Sequence, residues 1–227
     1  FQAEDGIRDH LLGLVGSEMC IRDRYNTFPD TGKVPLIADQ TSEILSRVID
    51  YSKFGCIYAG LQKNLGPSGT AIVVIREDLL GHASPETPVL LNYEQCAKDN
   101  SLTNTANTFA IYVTGLVLDW LQEQGGVAAI EKVNEQKAKT LYDVIDAGDY
   151  YRGVIQAEFR GTMNVSFNLP SEELEAKFLK EAGALGLYAL KGHRSVGGIR
   201  ASIYNAMPLA GVEALAGFMK DFESKNG

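Results

Sequence analysis

The segment CIYAG-LQKNLGPSG-TAIVVIR, residues 56–76, constrains this chain more than any other stretch. Two short apolar runs of strand character flank a lysine, Lys63, and a stiff Gly-Pro-Ser-Gly turn. Lys63 therefore sits where a buried strand ends against a tight loop. A rigid support of that kind suits an amine that does covalent work, whereas a lysine on a solvated helix face serves solubility. A phosphate-cradling P-loop is excluded, because that motif needs Gly, four residues and then Gly-Lys-Ser/Thr. Here Gln62 precedes the lysine, Asn64 comes after it, and the glycines lie farther on.

Upstream, VPLIADQTSE carries four apolar residues into Asp39. That is the pattern of a buried parallel strand presenting a carboxylate at its carboxyl end, where open α/β sheets place ligands. A lysine and an aspartate at neighbouring strand ends meet the needs of a pyridoxal phosphate site. The amine condenses with the aldehyde, and the carboxylate keeps the ring nitrogen protonated so that the ring can accept electrons.

Four motifs in order, IADQTSEILSRVID, FGCIYAGLQKNLGPSG, TNTANTF and LKGHRSVGGIRASIYNAMP, resemble the phosphoserine aminotransferase family. These are fold-type I pyridoxal phosphate enzymes of the class V aminotransferase group. The likeness runs from about Tyr25 to Gly227 and implies an α/β chain: the carboxyl-terminal part of a PLP-binding large domain over 25–126, then a small α+β domain over 127–227. It implies that Lys63 and Asp39 are catalytic and that Asp39, Gln62, Lys63, Asn104 and Thr105 hold pyridoxal 5'-phosphate. Asn104 and Thr105 would reach the cofactor of the other subunit of a homodimer. His193 and Arg194 would hold the distal anion of a phosphorylated keto acid, 3-phosphohydroxypyruvate, and Arg200 the α-carboxylate of the amino acid. Glutamate is the implied donor, in serine and also vitamin B6 biosynthesis. The family's chain is longer at its amino end, where its main phosphate cradle and the aromatic stacked on the ring lie, so these 227 residues alone are expected to be inactive. Ala106-Asn107 stand where the family has Pro-Pro.

Residues 1–24 have no rhythm that joins them to the rest of the chain. HLLGLVG is short, comes after acids and lacks a small-residue cleavage site, which argues against a signal peptide. The stretch resembles translated sequencing adapter and is set aside as a non-native, poorly packed leader.

Net charge of -8 and a pI near 5.0 give no reason to expect nucleic acid or an anionic membrane as partner, so an anionic substrate needs a local basic cluster. GHRSVGGIR supplies one, and paired glycines let the backbone bend between its basic residues. Cys20, Cys56 and Cys96 form no metal-like spacing, and no metal is expected. Odd cysteines fit a reducing cytoplasm. His10 and His82 read as surface residues.

Periodicity gives the other elements. TAIVVIR reads as a buried strand, residues 92–104 as polar loop, and Asn107 or Thr105 as the cap of a helix whose face Phe109, Tyr112, Val113, Leu116, Val117, Trp120 and Leu121 is core. Beyond Gly125-Gly126 come a helix, the strand MNVSFNL, a helix, the strand pair LYALKG and IRASIYN, and a last helix. The rivals are another class V enzyme, an alanine-glyoxylate type aminotransferase or a cysteine desulfurase, and a non-catalytic remnant.

Overall fold

The computed structural model describes residues 14–16, 24–192 and 197–227, and within it the chain divides into two units. The division falls at Trp120/Leu121, a little before the glycine pair. Residues 42–48 belong to the second unit although their neighbours in sequence belong to the first.

In the first unit, strands β1 (Leu14–Gly16), β2 (Ile37–Asp39), β3 (Cys56–Gly60) and β4 (Ala71–Ile75) form a sheet in that order. β1, β2 and β3 are parallel, and β4 is antiparallel to β3. Ala38, Ile57 and Ala59 alternate onto a buried face, whereas Ile37, Asp39 and Tyr58 on the other face are half-buried. Leu14 pairs with Ile37, so part of the stretch set aside as a leader joins the sheet. The open edge of β2 offers unpaired backbone groups that a short extended apolar segment satisfies. One expectation, that β4 is a buried strand, needs correction here. β4 is an exposed edge strand, with Ile72 and Val74 at 40% and 49% exposure, because among the described residues no further strand pairs with it.

Helix α1 (Tyr93–Lys98) lies within the segment read as loop. Asn92 caps it, its Oδ1 accepting from the Glu94 and Gln95 amides, and Lys98 bonds Glu94 one turn back. Helix α2 (Thr108–Glu123) starts at Asn107, whose Oδ1 accepts from the Ala110 N–H at 3.1 Å. Its expected core face is largely open: Phe109, Tyr112 and Leu116 are exposed, and only Ala110 and Leu121 are buried. The amphipathic pattern is present, but among the described residues of the first unit no layer covers it.

The second unit is built on a three-stranded antiparallel sheet, β5 (Arg152–Gly153), β6 (Asn164–Asn168) and β7 (Ile199–Ser202). Helices α3 (Val127–Ile145), α4 (Glu172–Ala184) and α5 (Leu209–Asn226) supply the rest of its core. Ser171 caps α4 by accepting from Leu174 N–H. The expected strand LYALKG is reduced to a bridge between Lys191 and Ile199, with the Arg200 N–H donating to Leu190 O. Ala189 in the left-handed region, φ 61°, breaks the extended run there. Arg24 also packs in this unit, its N–H donating to Phe159 O at 2.7 Å.

Val165, Phe167, Ile199 and Ala201 point into the core, where Phe178 meets the rings of Tyr151, Phe167, Phe218 and Phe222. Phe178 is fully enclosed, so Phe178→Ala should cost about 3–5 kcal/mol, read from equilibrium urea unfolding. A loss under about 1 kcal/mol would show that this aromatic cluster relaxes freely.

Among the described residues, no helix is long and apolar enough to cross a membrane.

Candidate active site

β2 and β3 run parallel with Asp39 opposite Tyr58, so both strands end on the same side of the sheet. Asp39 is the last residue of β2. Lys63 lies three residues beyond the end of β3, inside the turn 61–65. Neighbouring parallel strands are only about 5 Å apart, so the topology gives this end of the sheet both a carboxylate and an amine.

The carboxylate is held in place. Asp39 Oδ1 accepts from the Thr41 N–H at 2.9 Å and from Thr41 Oγ1–H at 2.6 Å. Thr41 Oγ1 in turn accepts from the Gly60 N–H at 3.1 Å, tying the end of β2 to the end of β3. Sequence reasoning missed Thr41. The signal available was Asp-x-Thr, the pattern in which an aspartate accepts from the amide two residues on. The negative charge of Asp39 adds to burial in raising the pKa of its neighbour Tyr58, burial being the larger cause.

The loop that carries Lys63 is anchored from below. Leu61 and Leu65 are buried, and the Leu65 and Gly66 amides both donate to Leu61 O, at 3.0 and 2.8 Å. Lys63 between them is half-buried. Gln62 folds back over Gly60: a Cβ built on that glycine would lie 2.5 Å from Gln62 Oε1. The glycine therefore makes the room that the Gln62 amide fills. Farther along, a Cβ on Gly66 would come within 2.9 Å of Thr114 Oγ1, so the loop lies directly on α2. Gly69, at φ +98°, approaches the Asn107 amide.

Asn104 and Thr105 precede α2 and are both exposed, with Asn104 Nδ2 donating to Thr105 O at 3.0 Å. Asn107 is the cap, which leaves Asn104 and Thr105 without that duty. Arg200 belongs to the second unit, on β7, paired with Ser166 of β6 on the polar face of that sheet. His193 and Arg194 lie outside the described residues. His82 is exposed, in keeping with its sequence context. Cys56 is buried in β3, and burial pushes its thiol pKa up. Among the described residues, no cluster of His, Cys, Asp and Glu could hold a metal ion.

An α/β sheet whose parallel strands deliver an aspartate and a loop lysine to one end defines a recognisable class. The sequence profile described as Aminotransferase class-V matches residues 25–215, and the chain belongs to that family. More particularly, it is 53% identical over 212 residues to the phosphoserine aminotransferase of Aromatoleum aromaticum, covering 93% of this chain and 57% of that protein. The phosphoserine aminotransferase of Herpetosiphon aurantiacus is 54% identical over 205 residues, 90% of this chain and 57% of its own. The chain thus spans little more than half the length of these curated relatives.

Among solved structures, phosphoserine aminotransferase from Bacillus circulans subsp. alkalophilus superposes with a TM-score of 0.91 at 47% identity, over 94% of this chain and 60% of that one. A PLP-bound phosphoserine aminotransferase from Trichomonas vaginalis gives 0.87 at 38%, over 91% and 59%. The fold is that of the fold-type I transferases.

Proposed function

We propose that this chain serves a pyridoxal phosphate-dependent aminotransferase that moves the amino group between glutamate and 3-phosphohydroxypyruvate. The observation that carries the reading is the placement of Asp39 and Lys63 at the carboxyl ends of adjacent parallel strands, with Asp39 locked by Thr41. The residues present fit the cofactor: an amine for its aldehyde, an oriented carboxylate for its ring nitrogen, and a side-chain amide, Gln62, folded beside them over a glycine. When bound, pyridoxal phosphate supplies an aldehyde and a ring that takes up the electron pair released at the substrate Cα.

The chain's own residues do the rest. Lys63 Nζ would hold the cofactor through its aldehyde, and its amine would carry the proton taken from the substrate Cα. The Asp39 carboxylate, oriented by Thr41, would keep a proton on the cofactor's ring nitrogen. The guanidinium of Arg200 pairs with the substrate α-carboxylate, and His193 and Arg194 hold the distal phosphate or carboxylate. Asn104 and Thr105, exposed ahead of α2, bind the cofactor phosphate of a second subunit in a cytoplasmic homodimer. A desulfurase role finds no support in Cys56, which is buried in a strand with its thiol pKa raised.

The test supplies the holoenzyme with glutamate and 3-phosphohydroxypyruvate and monitors 2-oxoglutarate. Turnover that requires both substrates is the expected result. Activity with alanine and glyoxylate instead, or sulfide release from cysteine, would overturn the substrate assignment. The 227-residue chain assayed alone should show no turnover.

A further inference from the structure

Lys137 is a fully enclosed lysine in the middle of α3, a position at which lysine is almost never found without partners. Among the described residues its ammonium meets no carboxylate. It donates to the backbone carbonyls of Tyr204 at 2.8 Å, Ile203 at 3.0 Å and Met207 at 3.1 Å, with Asn205 O at the limit, 3.5 Å. These carbonyls belong to the connection that leaves β7 and enters α5, and they converge on one cation. Burial pushes the ammonium pKa down to about 8.

One turn earlier, Asn134 Nδ2 donates to Asn205 Oδ1 and to Ser46 O, both at 2.9 Å, and Asn205 Nδ2 donates to Leu45 O at 2.9 Å. The connection is thus gripped from α3 by an ammonium and an amide together.

The gripped segment reaches back to the face that carries Arg200. The Ile203 N–H donates to Met163 O at 2.9 Å, carrying the β6–β7 ladder one step past β7. The Tyr204 hydroxyl donates to Asn164 Oδ1 at 3.3 Å, and Ser202 Oγ donates to the same oxygen at 3.1 Å. Asn164 and Ser202 are cross-strand partners, and two residues along on the same face stand Ser166 and Arg200. A continuous set of bonds therefore runs from the Lys137 ammonium to the neighbours of Arg200.

We propose that Lys137 is a positioning residue for Arg200: by gathering the carbonyls of residues 203–207 it fixes the polar face of β6 and β7 from which Arg200 addresses the substrate carboxylate. Without the ammonium, the carbonyls of Ile203 and Met207 lose the donor that gathers them, while Tyr204 O keeps the Met207 N–H at 2.9 Å, and the connection must shift to regain the lost bonds. The role rests on the reading of Arg200 as the α-carboxylate residue, so its test is read in two ways.

In the holoenzyme, Lys137→Met keeps an unbranched apolar stem and removes the ammonium. The KM for glutamate should rise about tenfold while kcat changes by no more than about twofold, the signature of lost substrate binding. In the same variant, hydrogen exchange of the Arg200 amide, which donates to Leu190 O at 2.7 Å, should quicken about tenfold, while amides of 56–75 keep their rates. Propylammonium added to Lys137→Ala should restore both. Tyr204→Phe, which removes one hydroxyl and little packing, should raise the KM in the same direction by a smaller factor; an unchanged KM there overturns the route through Asn164. An unchanged Arg200 amide in Lys137→Met overturns the proposal whatever the reaction proves to be. Faster exchange with an unchanged KM overturns it too and leaves Lys137 a purely structural group. If the unsubstituted enzyme does not use glutamate, the assigned reaction falls, and the amide and its propylammonium rescue still decide whether Lys137 sets Arg200.

Discussion

Lys63→Ala is expected to lower turnover by at least about 10²–10⁴-fold, the range contributed by a positioned proton-transfer group, and to abolish covalent retention of the cofactor. The second readout is the sharper one. Borohydride reduction of the wild-type holoenzyme should leave pyridoxal phosphate attached to the peptide carrying Lys63, and the variant should carry none. The backbone there is held by the enclosed Leu61 and Leu65 and by the Leu65 and Gly66 amides on Leu61 O, none of which involves the lysine side chain. Those backbone bonds remain in the variant, so the turn itself should stay folded, read as native-like hydrogen exchange of the Leu65 and Gly66 amides. The loss would then be chemical, and a small primary amine supplied in solution should return part of it. Lys63→Arg separates charge from nucleophilicity: it keeps a cation and is expected to be as inactive as alanine. Cofactor trapped on another lysine would overturn the role given to Lys63 and, with it, the placement of the site at the end of β3.

Much of that site is legible in the sequence because its parts are local. VPLIAD spells a buried strand that ends in a carboxylate, and CIYAG leading into a Gly-Pro-Ser-Gly turn fixes where the lysine stands. α4 and α5 show the same economy, with Ser171 as an evident cap and an apolar stripe through Val212, Leu215, Met219 and Phe222. The features that are not legible depend on partners distant in sequence. The stripe of α2 predicts burial, yet Phe109 and Tyr112 stand open because a helix pattern cannot say whether a covering layer exists in the same unit. α1 hides in a polar stretch since its stability comes from a cap and one ion pair, with no buried residue of its own.

Lys137 is the extreme case. Within EKVNEQKAKTLY it reads as one more solvated charge, and only the carbonyls of residues some sixty-six to seventy positions away explain its place in the core. Thr41 lies between the two extremes. Its tie to Asp39 can be read from spacing, whereas its tie to the Gly60 N–H needs the parallel pairing of β2 and β3.

Asp39→Asn puts the electrostatic half of the site to the test with little disturbance of shape. The asparagine Oδ1 can still accept from the Thr41 amide and hydroxyl, so the turn after β2 and the link onward to Gly60 should persist. What disappears is the negative charge that would hold a proton on the cofactor ring nitrogen. A fixed group aimed at charge that develops during reaction typically contributes about 10²–10³-fold, and a loss of that order in kcat is expected, with the KM for glutamate nearly unchanged. Thr41→Val supplies the comparison. It keeps the carboxylate and removes the hydroxyl that orients it, so the loss should be smaller, about tenfold, the scale of one hydrogen bond to a charged group. If Asp39→Asn retained most of its activity, the carboxylate would not be the partner of the ring nitrogen. If Thr41→Val proved the more damaging, the contribution of this corner would lie in joining β2 to β3 through Gly60, and the charge of Asp39 would be incidental to it.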